Sequence, residues 1–134
     1  MADLVVTCPA YFWADWIAEG DPVGADESGE EWGFTIARAP KVAPIEAGER
    51  LYVVAHGRLR GYAPVTRVEI IPDPHGSITI CRRGGAVAVT IDEPIKGFRN
   101  YRRTWWKREA ERPFPDWRTA GVPAAMQRRI TGAR

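Results

Sequence analysis

The sequence predicts an α+β fold: a small, mostly antiparallel pseudo-β-barrel with one N-terminal helix and a short late helix. Three observations lead to this prediction. An apolar stripe at helical spacing occurs early, apolar residues then alternate with polar ones in several segments, and glycines stand at the expected bends. Long strands with glycine bends favour a curled barrel, because a flat sheet would leave edges that need protection.

The N-terminal part is expected to contain a strand, a helix and an acidic loop. Residues 4–7, LVVT, are typical of a short strand. Residues 8–21 are predicted to be helical, since Pro9 suits a first turn and Gly20 suits a C-terminal end. One face of this helix would carry the large apolar side chains Phe12, Trp13, Trp16 and Ile17.

Most of the remaining chain is predicted to be β-structure. Residues 31–39 alternate as a strand does, and residues 49–71 are predicted to be two long strands joined at His56-Gly57. Residues 77–91 would form a second hairpin that turns at Gly84-Gly85. Pro64 removes a ladder donor, so its strand is expected to be bulged or to lie at an edge there.

The C-terminal part is less regular. The β-pattern breaks at residues 92–98, and residues 99–111 are predicted to form the late helix. Residues 112–123 would be extended, and residues 124–134 frayed or disordered. We therefore expect one domain over residues 1–117, followed by an extended or partly disordered basic tail over residues 118–134.

The formal net charge of +2 hides an uneven distribution along the chain. Residues 1–50 hold three cations and ten anions, whereas residues 96–134 hold eleven cations and three anions. Such asymmetry suggests a polyanionic partner, RNA or DNA. The alternative is internal, with the acidic N-terminal segment lying against the basic one.

Several classes of protein are not expected. No apolar run approaches the length of a membrane span, and the N-terminus lacks a secretory leader, so we expect a cytoplasmic protein without a membrane partner. Cys8 and Cys81 are isolated and are expected to be reduced thiols. No metal site or cofactor is predicted, because there is no CxxC and only two histidines are present.

Two basic stretches are the predicted phosphate contacts. Residues 95–108, IKGFRNYRRTWWKR, interleave cations with aromatic rings, which suits a surface that holds phosphates and stacks bases. Strand alternation in the hairpin HGRLRGY places two arginines and a tyrosine on one non-core face. The predicted contacts are Arg58, Arg60, Arg99, Arg102, Arg103 and Lys107. The alternative is a buried aromatic stripe with solvated arginines.

A base pocket is predicted between the first helix and the central hairpin. Trp16 or Trp32 would form one wall, Tyr62 and the Phe98–Tyr101 turn would approach from the other side, and the amide of Asn100 would offer a donor and an acceptor to a base edge. The predicted pocket residues are Trp16, Trp32, Tyr62, Phe98, Asn100 and Tyr101. The alternative is that these rings fill the core of a small barrel.

The order of elements resembles the PUA-like superfamily, most closely its ASCH branch and also its EVE branch. The residues that carry the resemblance are Gly48, Glu49, Arg50 and Leu51 before the central hairpin, and the segment GFRNYRR at 97–103. The resemblance implies a compact pseudo-barrel with a cleft beside its first helix. It also implies binding of RNA or DNA, in some members through a modified base held in an aromatic cage.

Two alternative functions remain open. Some ASCH proteins are amidohydrolases on acylated cytidine that use a Lys-Thr-Glu set, for which Thr35, Lys41 or Lys96, and Glu69 are the candidates here. The chain has no lysine at the expected place, so we assign no catalytic residue and expect binding rather than catalysis. The other alternative is a non-catalytic protein-interaction domain, which would expose its aromatic side chains as one apolar patch.

Overall fold

The computed structural model describes residues 3–8, 31–36, 43–83, 87–117 and 119–124, with the backbone alone for residues 31, 32 and 83. The predicted N-terminal helix, apart from Cys8, lies outside these residues. The described elements are β1 Leu4–Thr7, β2 Glu31–Ile36, β3 Arg50–Ala55, β4 Arg58–Ile70, β5 Ile78–Arg83, β6 Val89–Thr90, β7 Tyr101–Arg103, a 3-10 helix Arg108–Ala110 and β8 Arg112–Pro113.

Six strands form one curled sheet in the order β2-β5-β4-β3-β1-β7, which makes a half-barrel. The neighbours are antiparallel except β1 and β3, which run parallel. β6 and β8 form a separate two-stranded ladder. The predicted mostly antiparallel, barrel-like β-architecture is therefore confirmed.

The central hairpin forms where the sequence predicts it. β3 and β4 are joined by His56 and Gly57, with φ angles of 50° and 76°, as a tight hairpin turn requires. Pro64 pairs with Arg50 at the end of β3, and the pairing of β4 with β5 begins one residue later, at Val65. The β4–β5 register then shifts between Val65 and Arg67, so an irregularity of the ladder lies beside Pro64.

The second predicted hairpin is wrong. β5 already has β2 on one side and β4 on the other, so neither of its edges is open to the next segment. Val87 instead bridges to Tyr62 of β4, and β6 pairs with β8. The predicted turn at Gly84-Gly85 lies outside the described residues.

The predicted late helix is also wrong, since residues 99–111 are all described and form no α-helix. Tyr101–Arg103 pairs with β1 as an edge strand, and a 3-10 turn follows at Arg108–Ala110. Asn100 has a φ of 58°, which lies outside right-handed helical geometry and is tolerated better by asparagine than by most residues. Pairing with β1 therefore prevails over the local helical spacing.

Buried side chains cover both faces of the sheet. The first cluster includes Leu4, Val6, Leu51, Val53, Ile80, Phe114 and Trp117, and the second contains Val5, Tyr52, Val54, Leu59, Ile91 and Ile95. Because successive strand residues point to opposite faces, the continuous apolar runs of β1 and β3 feed both clusters.

The segment after Trp117 also contacts the core. Val122 is buried and Ala120 is partly buried, and both pack on the first cluster. Residues 119–121 lie in turns rather than in an extended strand. The division of the chain between residues 117 and 118 stays a prediction. No helix within the described ranges is long and apolar enough to cross a membrane.

Candidate functional site

The aromatic rings of residues 95–108 mostly point inward. Phe98 and Trp106 pack against the second cluster, whereas Tyr101 packs against the first. The backbone N–H of Phe98 donates to Thr7 Oγ1 at 3.1 Å and fixes the segment to β1. Trp105 is the exception, with 44% of its surface exposed. These rings anchor the segment to the sheet.

The cations of the same segment point outward. We call Lys96, Arg99, Arg102 and Lys107 the basic segment, and all four are exposed. The described part of the chain offers none of them an ion-pair partner. The guanidinium of Arg102 lies 4.4 Å from the ring centroid of Phe98, so this exposed cation is held over an anchored ring.

Arg103 is exposed, but it also has a structural contact. Its Nη1 donates to the carbonyl oxygen of Pro44 at 2.8 Å. A phosphate that bound this arginine would have to share the guanidinium with that carbonyl. Arg103 therefore holds the loop of residues 43–45 in place, in addition to any contact that it makes with a phosphate.

Arg60 was predicted to contact phosphates, but its side chain is fully buried and cannot reach a ligand on the surface. Nε donates to the carbonyl oxygen of Ala55 at 2.8 Å, Nη1 to Trp117 at 3.2 Å and Nη2 to His56 at 3.3 Å. Burial, with a smaller contribution from Arg58, lowers the pKa of Arg60 to about 10. Its charge serves the fold rather than a ligand.

The reason is that both faces of the sheet are covered at the central hairpin. Arg58 and Arg60 lie against the same ring, with their guanidinium groups 4.5 and 5.3 Å from the centroid of Phe114 in the first cluster. Arg58 is half-buried there and donates to Thr90 Oγ1 at 3.4 Å. The β3–β4 register then shifts, and Tyr62, predicted on the same face as the two arginines, packs on the second cluster.

An open groove of about 490 Å³ lies between the central hairpin and the β6–β8 ladder. Its described lining residues are Arg50, Tyr62, Val87, Ala88, Val89, Arg108, Glu111, Arg112 and Pro113. Tyr62 and Val87 exchange two backbone hydrogen bonds of 3.0 and 2.8 Å. Gly61 permits this approach, because a Cβ there would lie 2.4 Å from the carbonyl oxygen of Val87.

A partly buried hydrogen-bond network lies beneath the groove. Glu111 Oε2 accepts from the Tyr52 hydroxyl at 2.6 Å and from Trp106 Nε1 at 2.9 Å. Arg50 Nη1 donates to the Tyr52 oxygen at 3.0 Å and pairs with Glu111 Oε1 at 3.5 Å. Burial and the bond to Glu111 raise the pKa of Tyr52, so its hydroxyl stays a donor.

Three arginines give the groove its charge. The guanidinium of Arg50 lies 4.0 Å from the ring centroid of Tyr62, which makes one flat, cationic wall. Arg108 donates to Asp3 Oδ2 at 2.8 Å, and this contact raises the pKa of Arg108. Arg112 pairs with the exposed carboxylate of Asp92.

The described residues do not bring the predicted base pocket together. Trp16 and the side chain of Trp32 lie outside them, and β2, which contains residue 32, is at the opposite sheet edge from β7. Phe98 and Tyr101 pack on different clusters, and Asn100 is exposed in the turn between them. Of the predicted rings, Tyr62 lines the groove.

Sequence reasoning missed four contributors to the groove and its support: Arg50, Tyr52, Glu111 and Arg112. Arg108 ends the basic stretch that the sequence analysis singled out, but it was not among the predicted phosphate contacts. One local signal was available. Arg50 and Tyr52 are two residues apart on a strand and therefore share a face. Their partner Glu111 is 59 residues from Tyr52, and no local pattern indicates that contact.

The hydrolase candidates have other partners where they are described. Thr35 Oγ1 lies 3.0 Å from Thr79 Oγ1, and the exposed Glu69 pairs with Arg67 at 3.0 Å. Lys41 lies outside the described residues, and within them no lysine is hydrogen-bonded to Thr35. As for exposed large hydrophobic side chains, the described part of the chain shows Ile70 and Trp105.

Comparisons of the chain with protein-family models, with curated proteins and with solved structures find no match. The resemblance to the PUA-like superfamily therefore rests on the sequence motifs given above. What the groove and the basic segment can bind must be inferred from their geometry and charge.

Proposed function

We propose that the protein is a nucleic-acid-binding module whose basic segment contacts phosphates. The observation that carries this proposal is that the rings and the cations of residues 95–108 have different positions: most rings pack on the sheet, and most cations are exposed. Rings anchor the segment to both faces of the sheet, while Lys96, Arg99, Arg102 and Lys107 stay exposed. A fixed backbone that presents cations loses less conformational freedom on binding than a flexible basic tail would.

The charges favour a polyanion over a protein carboxylate patch. The four cations of the basic segment lie within twelve residues, whereas the same stretch holds no carboxylate. Neutralising several phosphates releases condensed counterions, which supplies most sequence-independent affinity. The exposed indole of Trp105 beside this segment offers a surface on which a base can stack.

The family resemblance agrees with this function. A PUA-like fold of the ASCH or EVE type would place nucleic-acid binding on a small pseudo-barrel, and we include that assignment in the proposal. We place the protein in the cytoplasm and give it no membrane partner. The proposal does not depend on the aromatic cage expected from the family, because the basic segment binds phosphates without it.

The test is equilibrium binding of short labelled RNA and DNA, single- and double-stranded, between about 50 and 200 mM salt. We expect the logarithm of the binding constant to fall linearly with the logarithm of the salt concentration. Arg102→Gln should reduce that slope by about 0.7 for a single strand and weaken all sequences alike.

The matched control is Arg67→Gln, which also removes one positive charge from the protein. Arg67 is exposed on β4, and its guanidinium pairs with Glu69. It should leave the salt slope unchanged. Absence of binding to every nucleic acid at low salt would overturn the proposal. So would an equal loss of affinity in the two variants, because binding would then depend on net charge rather than on the basic segment.

A further inference from the structure

The lining of the groove carries more guanidinium groups than carboxylates. Among its described lining residues, Glu111 is the carboxylate, and its side chain is only 7% exposed and already accepts from Tyr52 and Trp106. The side chains of Arg108 and Arg112 are 46% and 56% exposed, and they pair with Asp3 and Asp92 outside the lining. A ligand entering the groove therefore meets guanidinium groups before it meets Glu111, and an anionic ligand must share or displace Asp3 and Asp92.

The groove also has surfaces suited to a flat ring. Arg50 stacked on Tyr62 forms one wall, and a guanidinium plane held in this way is a surface on which nucleobases stack. Val87, Ala88, Val89 and Pro113 supply apolar contacts. The volume lies within the range of small-molecule sites, which is about 300–1,000 Å³.

We infer that this groove binds a nucleoside phosphate, with the base against the guanidinium of Arg50, which lies over the Tyr62 ring, and the phosphate on Arg108 and Arg112. The surface pair between Arg112 and Asp92 is weak because both partners are exposed, so a phosphate can replace Asp92 at little cost. Arg108 keeps Asp3 and adds a second anion through its remaining donors.

This inference deepens the proposed function by giving it a base-holding subsite in a different place from the predicted pocket. A nucleotide in a bound strand and a free nucleotide present the same chemistry to the groove. In the first case the inference rests on the proposed function, and in the second it stands without it. The experiment below separates the two sources.

The test is calorimetric titration of the full chain with four nucleoside monophosphates, the matching nucleosides, inorganic phosphate and a short single strand. We expect the preferred monophosphate to bind at least about tenfold more tightly than its nucleoside and than inorganic phosphate. Arg112→Gln should lower the affinity for the monophosphate about tenfold and leave the affinity for the nucleoside unchanged.

The control is Arg102→Gln in the basic segment. It should leave monophosphate binding unchanged but lower the affinity for the single-stranded nucleic acid. If Arg112→Gln also weakens binding of the single-stranded nucleic acid, the groove accepts a nucleotide within such a strand. If Arg112→Gln weakens binding of the monophosphate alone, the groove binds a free nucleotide. Either result supports the inference.

Two results would overturn it. One is that monophosphates fail to bind, or bind no better than nucleosides and phosphate. The other is that Arg102→Gln and Arg112→Gln weaken them equally. If the strand still binds with a salt-dependent affinity in either case, the groove inference fails and the proposed function stands. If monophosphates bind as expected and the strand does not, the proposed function fails and the groove remains.

Discussion

Replacing Glu111 with alanine tests the network beneath the groove. The carboxylate joins elements distant in sequence, because it accepts from Tyr52 on β3 and from Trp106 before the 3-10 helix. Truncation removes the shared acceptor of two donors that are largely buried. It also removes the anionic partner of Arg50, which then keeps its hydrogen bond to the Tyr52 oxygen.

The cost follows from the groups left without a partner. A buried donor that loses its acceptor costs about 1–3 kcal/mol, and here the hydroxyl of Tyr52 and the indole N–H of Trp106 are both affected. Arg50 recovers solvation, since its side chain is 25% exposed, and adds little. Water entering from the open groove offsets part of the loss. We therefore expect Glu111→Ala to lower the free energy of unfolding by about 3 kcal/mol.

The assay is urea denaturation followed by tryptophan fluorescence and far-ultraviolet circular dichroism. With a slope of about 2 kcal/mol per molar urea, the midpoint should fall by about 1.5 M. Glu111→Gln keeps an acceptor oxygen but loses the charge, so we expect it to lower the free energy of unfolding by about 1 kcal/mol. The two probes should give the same midpoint if unfolding is two-state.

Glu93 is the matched control, because its carboxylate also accepts from an indole, that of Trp105, at 3.2 Å, but on the exposed surface. Water replaces that acceptor, so Glu93→Ala should cost about 0.5 kcal/mol or less. If Glu111→Ala costs no more than Glu93→Ala, the buried network contributes nothing to stability and the reasoning is refuted.

The remaining predictions concern Arg60 and the titration of Tyr52. Arg60→Met should lower the free energy of unfolding by about 3 kcal/mol, because three carbonyl oxygens lose one donor, and urea denaturation measures it. A loss below about 1 kcal/mol would mean that other donors replace the guanidinium. The pKa of Tyr52 is raised above that of an unfolded tyrosine, so its contribution is complete below about pH 10 and is lost as the pH rises further. Ultraviolet absorbance should show this phenol ionising only with unfolding, and its titration in the folded state together with the other tyrosines would contradict the prediction.

The strands could be predicted because their signals are local. Short runs of β-branched and other apolar residues define β1 and β3, and the His56-Gly57 turn fixes that β3 meets β4. The partner of β6 could not be predicted in this way. Its alternation matches that of any strand, and its pairing with β8 depends on β5 being flanked on both sides.

The site was harder to predict than the fold. Arg60 is buried because elements distant in the sequence cover its face of β4, including Phe114 and Trp117, and no local pattern indicates that covering. The late segment misled for a similar reason. Tyr101 and Trp105 have helical spacing, yet pairing of Tyr101 with Val6 of β1 decides the structure of that residue. Long-range pairing thus outweighs local spacing at both places.

The dense mixture of rings and cations in residues 95–108 has a structural cause. Most of this segment belongs to no sheet, so its backbone is held by the short strand β7 and by single hydrogen bonds such as that from Ile95 N–H to the carbonyl oxygen of Gly57. Phe98 and Trp106 supply the missing attachment by packing on the second cluster, and Trp106 also bonds Glu111 beneath the groove. The cations between them are therefore presented by a surface that the rings hold in place. Changes to the rings should act on stability and binding together, whereas changes to Lys96, Arg99 and Lys107 of the basic segment should act on binding alone. Arg103, which donates to the carbonyl oxygen of Pro44, should affect both.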